Sequence, residues 1–463
     1  MKKFLFVAAL LGSLAGPGRA DFKNGQSTDL AFGGPTIFSQ IQGIAVDGRG
    51  QIYVCDAGFN RVLVYPGGMV TGDGQLPIAV LGQASMDGKL ANKGAAQPSA
   101  TSLSGPSSVA FSGGFLFVAD RGNNRVLIYD TVTSNITTDQ AAMAVLGQQN
   151  FTAAAAARSA TGLNSPYGIT VEPLGNVWVA DSGNQRVVRF PSYTTGSAAD
   201  YVLGQSSLTA SGGGAMSFPI GVTIGSSNAL YVADEVWNQV LRYNTAGFKP
   251  LGSPPDGLLG QSFFGSIGAG SGPTGLNTPW GAAADAQGDL WVADTHNNRV
   301  IRYNNAANKA NGAAADLVLG QPNLTDISGG AGDNDLASPT GICVDSDGDV
   351  WVCDYDNHRV MRFSALEGPR CKLGSASLKT VGKKIKLTVK GSASGGSGIL
   401  YVEYSVDGGK KWKKAKGKTK WQFSTTIKAG ALKVQVRAVD TRKVKSAVLK
   451  LKGKDFKKLK FRN

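Results

Sequence analysis

The chain has 463 residues, with 63 glycines, 18 prolines, 17% charged and 42% apolar residues, too apolar for a disordered chain and too polar for a bundle of membrane spans. Two histidines, His296 and His358, and four glutamates, Glu172, Glu235, Glu367 and Glu403, exclude a multi-histidine metal centre and argue against a paired-glutamate glycosidase. The net charge of +15 hides a split: residues 370–463 carry 27 basic against 4 acidic residues, net +23, and residues 21–369 carry 17 against 28, net −11.

At the N-terminus, Met1-Lys2-Lys3 precedes an apolar run from Phe4 to Leu14 and then Gly18-Arg19-Ala20. A basic start, a short apolar stretch and small residues predict a secretory signal peptide over 1–20, and a secreted, periplasmic or cell-surface protein beginning at Asp21. No later apolar stretch reaches the roughly 20 residues of a membrane span. Cys55, Cys343, Cys353 and Cys371 are too few for a disulfide scaffold and lack CxxC spacing. Cys55 and Cys353 share one repeat slot and read as small buried strand residues. Cys343–Cys353, across one hairpin, is the pairing best placed to bridge.

Six segments align at their core: GIAVDGRGQIYVCDAGFNRVLVY from Gly43, SVAFSGGFLFVADRGNNRVLIY from Ser108, GITVEPLGNVWVADSGNQRVVRF from Gly168, GVTIGSSNALYVADEVWNQVLRY from Gly221, GAAADAQGDLWVADTHNNRVIRY from Gly281 and GICVDSDGDVWVCDYDNHRVMRF from Gly341. Each predicts three short strands: an apolar run, a turn rich in Gly, Asp and Asn, an aromatic/Val strand ending in Asp, a tight loop, and an alternating strand after the Arg. A proline two residues ahead of most starts (Pro106, Pro166, Pro219, Pro279, Pro339) marks the loop leading in.

Between units lies a fourth element: AVLGQ at 79–83 and 144–148, YVLGQ at 201–205, GLLGQ at 257–261 and LVLGQ at 317–321. As the outer strand of each unit it completes four-stranded sheets repeated radially, a six-bladed β-propeller. Five such motifs serve six units. Asn24-Gly25-Gln26, 18 residues before Gly43, fits the spacing of the sixth, so the N-terminal segment is expected to close the last blade and remove a sheet edge. Leu373-Gly374-Ser375 is a rival for that strand.

The ValAlaAsp…AsnAsnArgVal core resembles the NHL family of six-bladed propellers over residues 21–364. The fourth copy departs, with Glu235-Val236-Trp237-Asn238-Gln239 lacking both the Gly and the Arg. The resemblance implies an all-β propeller, over 21–366. Some NHL-like propellers are metal-dependent lyases or lactonases whose centres combine several His, Glu and Asn or Asp ligands, and two histidines on one type of loop do not supply such a centre.

The second strands end in Asp56, Asp120, Asp181, Asp234, Asp294 and Asp354, matched by Arg61, Arg125, Arg186, Arg299 and Arg359. These read either as a ring of ligands at one end of the channel or as loop-capping ion pairs. Repetition in every blade favours the structural role, because a repeat fold reiterates its framework and individualises its site. The deviations are the better functional candidates: Glu235, Trp237, His296, Tyr355, Asp356 and His358 fall on one kind of loop in three consecutive copies and form a candidate binding rim. Asp345-Ser346-Asp347-Gly348-Asp349 has the look of a calcium loop but lacks the glutamate that an EF-hand requires, leaving a hairpin turn with at most incidental Ca²⁺ binding. No nucleophile elbow, zincin, P-loop or dinucleotide motif occurs, and no cofactor is expected.

From residue 367 onward, alternating segments at 384–389, 399–406, 433–439 and 447–451 predict strands with one apolar and one cationic face. TyrSerValAspGlyGly…Trp and ValArgAlaValAsp resemble a small immunoglobulin- or fibronectin-type sandwich over 367–463. Ser405 to Trp412 also fits a single Asp-box, which turn chemistry alone explains. Lys410, Lys411, Lys413, Lys414, Lys416, Lys418 and Lys420 are the candidate polyanion contacts. Few aromatics and no nucleic-acid signature argue against nucleic acid and for an anionic envelope polymer. The expected function is a non-enzymatic platform, with protein, peptide or glycan on the propeller; the alternative is a metal-assisted lyase or lactonase.

Overall fold

The computed structural model describes residues 22–67, 75–132, 135–212, 214–225, 228–365, 370–381, 384–394, 399–407, 410–427, 434–440 and 449–451. The predicted signal peptide lies outside them. Lys23–Ser364 form one compact unit, and the described residues from Ala365 onward belong to another.

The first unit holds six four-stranded antiparallel sheets. From inner to outer strand, blade 1 is Ile41–Val46, Ile52–Asp56, Arg61–Tyr65, Ala79–Leu81, and blade 2 is Pro106–Ser112, Phe115–Asp120, Arg125–Asp130, Ala144–Leu146. Blade 3 is Pro166–Val171, Val177–Asp181, Arg186–Phe190, Tyr201–Leu203, and blade 4 is Pro219–Ile224, Leu230–Asp234, Gln239–Tyr243, Gly257–Leu259. Blade 5 is Pro279–Ala284, Leu290–Asp294, Arg299–Tyr303, Leu317–Leu319, and blade 6 is Pro339–Val344, Val350–Asp354, Arg359–Phe363 with Leu30–Gly33 outermost. The chain is all-β, a six-bladed propeller followed by further sheets.

The ring closes through its inner strands. The Ser107 hydroxyl of blade 2 donates to Pro166 O of blade 3 at 3.0 Å, and Thr340 of blade 6 donates to Ile41 O of blade 1 at 2.9 Å. The inner-strand glycines allow this approach: a Cβ on Gly221 would fall 2.4 Å from Trp280 O, and one on Gly341 would fall 2.4 Å from Gln42 O. Apolar cores form between neighbouring blades rather than within them. Tyr53, Val62 and Val64 of blade 1 pack with Leu116, Val118 and Leu127 of blade 2, while Trp351, Cys353 and Val360 of blade 6 pack with Ile44, Val54 and Leu63 of blade 1. Second strands are therefore buried on both faces and read as apolar runs up to their closing aspartate, whereas the third strands of blades 3 to 6 carry Arg189, Arg242, Arg302 and Arg362 among their buried residues.

Two expectations are corrected. The N-terminal segment does close blade 6, but with Leu30–Gly33, register Leu30 opposite Arg362 to Gly33 opposite Arg359; Asn24-Gly25-Gln26 lies ahead of that strand. The rival Leu373 sits in a strand of the second unit, Arg370–Val381. Cys343 and Cys353 form no bridge; with Cys55 they are free thiols. Cys343 pairs with Trp351, so Cys353 is its diagonal neighbour, and diagonal positions lie about 7–8 Å apart, beyond disulfide reach.

The second unit contains two sheets. One runs Arg370–Val381, Lys384–Ser394, Lys420–Ile427; the other runs Lys413–Lys414, Ile399–Ser405, Val434–Asp440, Leu449–Leu451. Tyr404 of the second sheet stacks on Phe423 of the first, centroids 3.8 Å apart and nearly parallel, so the sheets pack face to face. Leu387, Val389, Val402, Trp421 and Val436 are buried with them, while Lys390 and Lys420 are exposed.

Candidate functional site

The repeated Asp–Arg pairs are consumed by the framework. In blade 2, Asp120 Oδ2 accepts Arg125 Nε and Asn123 Nδ2, both at 2.7 Å, and Oδ1 accepts the Ser104 N–H at 2.7 Å. The remaining guanidinium N–H groups of Arg125 bind Phe151 O, Ser99 O and Ser102 O in the outer loop. Asp181–Arg186, Asp294–Arg299 and Asp354–Arg359 repeat the pair at 2.7 Å and Asp56–Arg61 at 2.9 Å. Burial pushes these carboxyl pKa values up, and the guanidinium and backbone donors oppose it. Each carboxylate is surrounded by donors, as a buried ion must be. Asp234, facing Gln239 instead of an arginine, takes the Ser217 and Phe218 N–H groups at 2.8 and 2.9 Å.

The residue opening onto the third strand latches four of the blades to their neighbours. Asn60, Asn124, Asn238 and Asn298 adopt left-handed φ of 51–53°, a conformation asparagine tolerates. Their Oδ1 atoms accept the N–H of Gly105, Ser165, Thr278 and Ser338 on the next blade at 2.7–2.9 Å. Gln185 and His358 hold this slot in blades 3 and 6.

In blades 3 and 5 the residue after the aspartate reaches the start of the next inner strand. Ser182 donates to Pro219 O and Thr295 to Pro339 O. Ala57, Ser182 and Thr295 are small here; Arg121, Glu235 and Tyr355 are large and alternate with them around the ring. Arg121 donates to the Tyr167 hydroxyl, and its guanidinium lies 5.0 Å from the ring centroid. Tyr167 in turn meets Phe218 and Trp280 edge-on at 5.6 and 5.7 Å. One tyrosine of blade 3 thus touches blades 2, 4 and 5 and covers the channel mouth. Beneath it the channel, ringed by the inner glycines with Ile44, Val109 and Ile342, encloses about 70 Å³, room for a few waters and not an organic ligand.

Glu235 follows directly, its N–H donating to Phe218 O at 3.1 Å. Its carboxylate is half-buried and has no hydrogen bond or ion pair among the described residues; burial, then the Asp234 charge, pushes its pKa up. Arg121 likewise has no carboxylate partner among the described residues. The Tyr355 phenol is pushed up by burial first and Asp356 second, and the Arg121 charge pulls it back. The mouth is therefore an aromatic floor flanked by an unpaired cation and an unpaired anion.

Of the six rim candidates, Glu235 and Tyr355 occupy this mouth slot. His296 is exposed, its Nδ1 against Thr278 Oγ1 at 2.9 Å, and Asp356 accepts the Ser338 hydroxyl at 2.6 Å, each within its own blade. His358 occupies the outward latch slot at φ 51°, its Nδ1 buried without a partner. Trp237 is half-buried and offers its carbonyl to Gln261 Nε2 at 3.5 Å. No hydrogen bond or ring contact joins any two of these four among the described residues. Sequence reasoning missed Arg121, Tyr167, Phe218 and Trp280; the size alternation in the slot after the aspartate could have marked Arg121, but no signal local to the chain marks the other three.

Asp345 accepts the Asp347 and Asp349 N–H groups and the Trp351 indole N–H at 3.0, 2.9 and 2.8 Å, as a hairpin turn. Among the described residues no group of three His, Cys, Asp or Glu side chains is placed to hold a metal ion. Asp407 caps its own turn through Ser405 Oγ and the Lys411 N–H at 2.7 and 3.0 Å, which lower its pKa, and Trp412 sits 3.8 Å under Arg437. Lys410, Lys411, Lys413, Lys414, Lys416, Lys418 and Lys420 are all exposed.

No curated protein matches the sequence closely enough to count as a relative. Solved structures with a similar outline include virginiamycin B lyase from Staphylococcus aureus (16% identity over 72% of this chain and 98% of that one, TM-score 0.42). A gluconolactonase from Xanthomonas campestris (14%, 73% and 87%, TM-score 0.43) and a Bacteroides thetaiotaomicron protein of unknown function (13%, 76% and 73%, TM-score 0.47) also match. Residues 103–129, 163–190, 276–303 and 336–363, the second, third, fifth and sixth units, match the NHL repeat. The chain carries NHL repeats, wound into a six-bladed β-propeller.

Proposed function

We propose that the propeller is a binding platform whose mouth takes a peptide segment of a partner protein, and that the basic unit attaches this exported protein to an anionic polymer of the cell envelope. The observation that carries the first half is the pair of half-buried, unpaired charges, Arg121 and Glu235, on either side of the Tyr167–Phe218–Trp280 floor. Such groups lower stability when left alone, and a ligand with an acidic and a basic group satisfies both. The floor supplies the apolar contact that anchors an interface centre.

The surface continues outward over blade 4. Val236, Phe263, Phe264 and Ile267 are 54%, 63%, 48% and 53% exposed. Asn238 Nδ2 ties their loops together by donating to Val236 O and Ile267 O at 3.4 and 3.0 Å. An apolar shoulder beside a charged mouth suits a peptide longer than the mouth itself. A channel of about 70 Å³ favours binding at the surface over chemistry inside.

The test is selection of a random peptide library on the full chain, with an Arg121→Ala/Glu235→Gln variant as counter-screen. The expected result is enrichment of peptides with an acidic and a basic residue flanking apolar ones, retained by the wild type and released by the variant. Peptides held equally by both would overturn the assignment.

A further inference from the structure

One face of the basic unit has a composition that its net charge alone does not describe. In the sheet Arg370–Val381, Lys384–Ser394, Lys420–Ile427, Lys390 stands opposite Gln422, Ser392 opposite Lys420 and Thr388 opposite Ser424. Residues two apart on a strand share a face and cross-strand partners are neighbours. The chain then folds back at Gly417, φ 90°, and Lys416 exchanges reciprocal backbone hydrogen bonds with Gln422, both at 2.8 Å. Lys390, Gln422 and Lys416 are therefore consecutive across the sheet, with Lys420 one step along. The alternate residues Leu387, Val389, Trp421 and Phe423 are buried on the opposite face.

The described residues of the outer face are cations, hydroxyls and an amide, without a carboxylate or an exposed aromatic ring. Thr388 and Ser424 bond to each other at 2.8 Å. A cleft of about 560 Å³ opens here, lined by Lys390, Ser392, Lys416, Gly417, Lys420 and Trp421, within the size range of ligand sites. Trp421 is 2% exposed and its indole N–H has no partner among the described residues.

We infer that this face is a binding site for an acidic polysaccharide, with Lys390, Lys416 and Lys420 set against its carboxylate or sulfate groups and Ser392, Thr388 and Gln422 against its hydroxyls. The inference rests on the tether reading above and names its face and its ligand class. Lysines act as strongly hydrated point charges and do not demand the bidentate geometry that arginine brings to phosphate. A nucleic-acid strand would call for aromatic platforms, and this face presents none among its described residues.

The experiment is binding of the full chain to immobilised polygalacturonate at ~50 and ~500 mM salt, where screening lengths differ several-fold, with neutral dextran and duplex DNA as comparison probes. Two variants with the same charge change are compared: Lys390→Gln/Lys416→Gln/Lys420→Gln and Lys410→Gln/Lys411→Gln/Lys413→Gln. The expected result is salt-sensitive binding to polygalacturonate, lost about tenfold in the first variant, the scale of three exposed ion pairs, and largely kept in the second. Equal loss in both would reduce the effect to net charge and overturn the face. Capture by DNA but not polygalacturonate would overturn the ligand class. Wild-type protein that ignores polygalacturonate yet sediments with envelope fractions in low salt would sink this inference and leave the tether standing; failure to bind either would sink both.

Discussion

Asn24 Oδ1 accepts the backbone N–H of Val318 at 3.0 Å, joining residues 294 positions apart in the chain. In blade 5, Asn311 Oδ1 does the same for Leu258 at 3.0 Å. The two asparagines open matching segments, NGQSTDLAFGG at 24–34 and NGAAADLVLGQ at 311–321. Asp29 and Asp316 mark the same point in both: the N–H of Asp29 bonds Arg362 O at 3.1 Å and that of Asp316 bonds Arg302 O at 2.7 Å. The N-terminal segment is thus a full outer-strand unit displaced to the start of the chain.

Removing residues 22–34 is therefore expected to strip blade 6 of its outer strand and leave the Arg359–Phe363 edge bare. An open edge invites pairing with other copies. The expected outcome is a fall of several degrees in Tm with concentration-dependent association, read by differential scanning fluorimetry and light scattering.

Arg299 and Arg359 make the same ion pair, but the Arg299 side chain is 0% exposed and that of Arg359 16%. Truncating a buried partner leaves an uncompensated charge, at about 3–5 kcal/mol. Arg299→Ala should therefore lower Tm markedly more than Arg359→Ala, where water reaches the orphaned groups. Equal shifts in thermal unfolding would contradict the role assigned to the pair.

His358 sits where blades 1, 2, 4 and 5 carry a latching asparagine. It keeps φ 51° and leaves Nδ1 buried and unpartnered. Its carbonyl is bonded by the Gly34 N–H at 2.7 Å, where other blades use a buried glutamine side chain, such as Gln321 to Asn298 O at 2.8 Å. His358→Asn should stabilise the protein by about 1 kcal/mol, through a left-handed residue that costs less and the loss of one orphaned nitrogen. Chemical denaturation at fixed pH reads the change.

Glu235 gives a pH signature. Its carboxyl is held above the ordinary 4.5 by burial and by Asp234, so the folded state keeps the proton longer than the unfolded chain does. Ionising it lowers stability as pH rises from the ordinary value through the raised one. Glu235→Gln should therefore be more stable than wild type near pH 7, and the difference should vanish at pH values below 4.5. A constant offset across that range, measured by thermal unfolding, would show that the carboxylate is not desolvated.

The propeller was legible because five of the six blades share each of three local signals, a proline opening the inner strand, an arginine opening the third and LGQ ending the outer, and all six close the second strand on aspartate. The five internal outer strands lie where those motifs stand. The closing strand was misplaced by a few residues because Gly34 replaces the glutamine of that motif, and Asn24-Gly25-Gln26 offered a false copy. The strands Arg370–Val381 and Lys420–Ile427 were missed because serine, threonine and lysine dilute their alternation. The mouth was the least legible part. Tyr167 and Trp280 each follow a proline and precede a glycine, so along the chain they read as ordinary strand residues. Only closure of the ring brings the Tyr167 ring against Arg121, Phe218 and Trp280.

The most direct test of the account is hydrogen–deuterium exchange of the full chain with and without a peptide recovered by the library selection. Protection confined to the segments around Arg121, Tyr167, Phe218, Glu235 and Trp280, abolished by Arg121→Ala/Glu235→Gln, is the predicted result. Protection on the opposite loops, such as those around Asp47 and Asp345, with the mouth unchanged, would contradict the assignment of the mouth as the binding site.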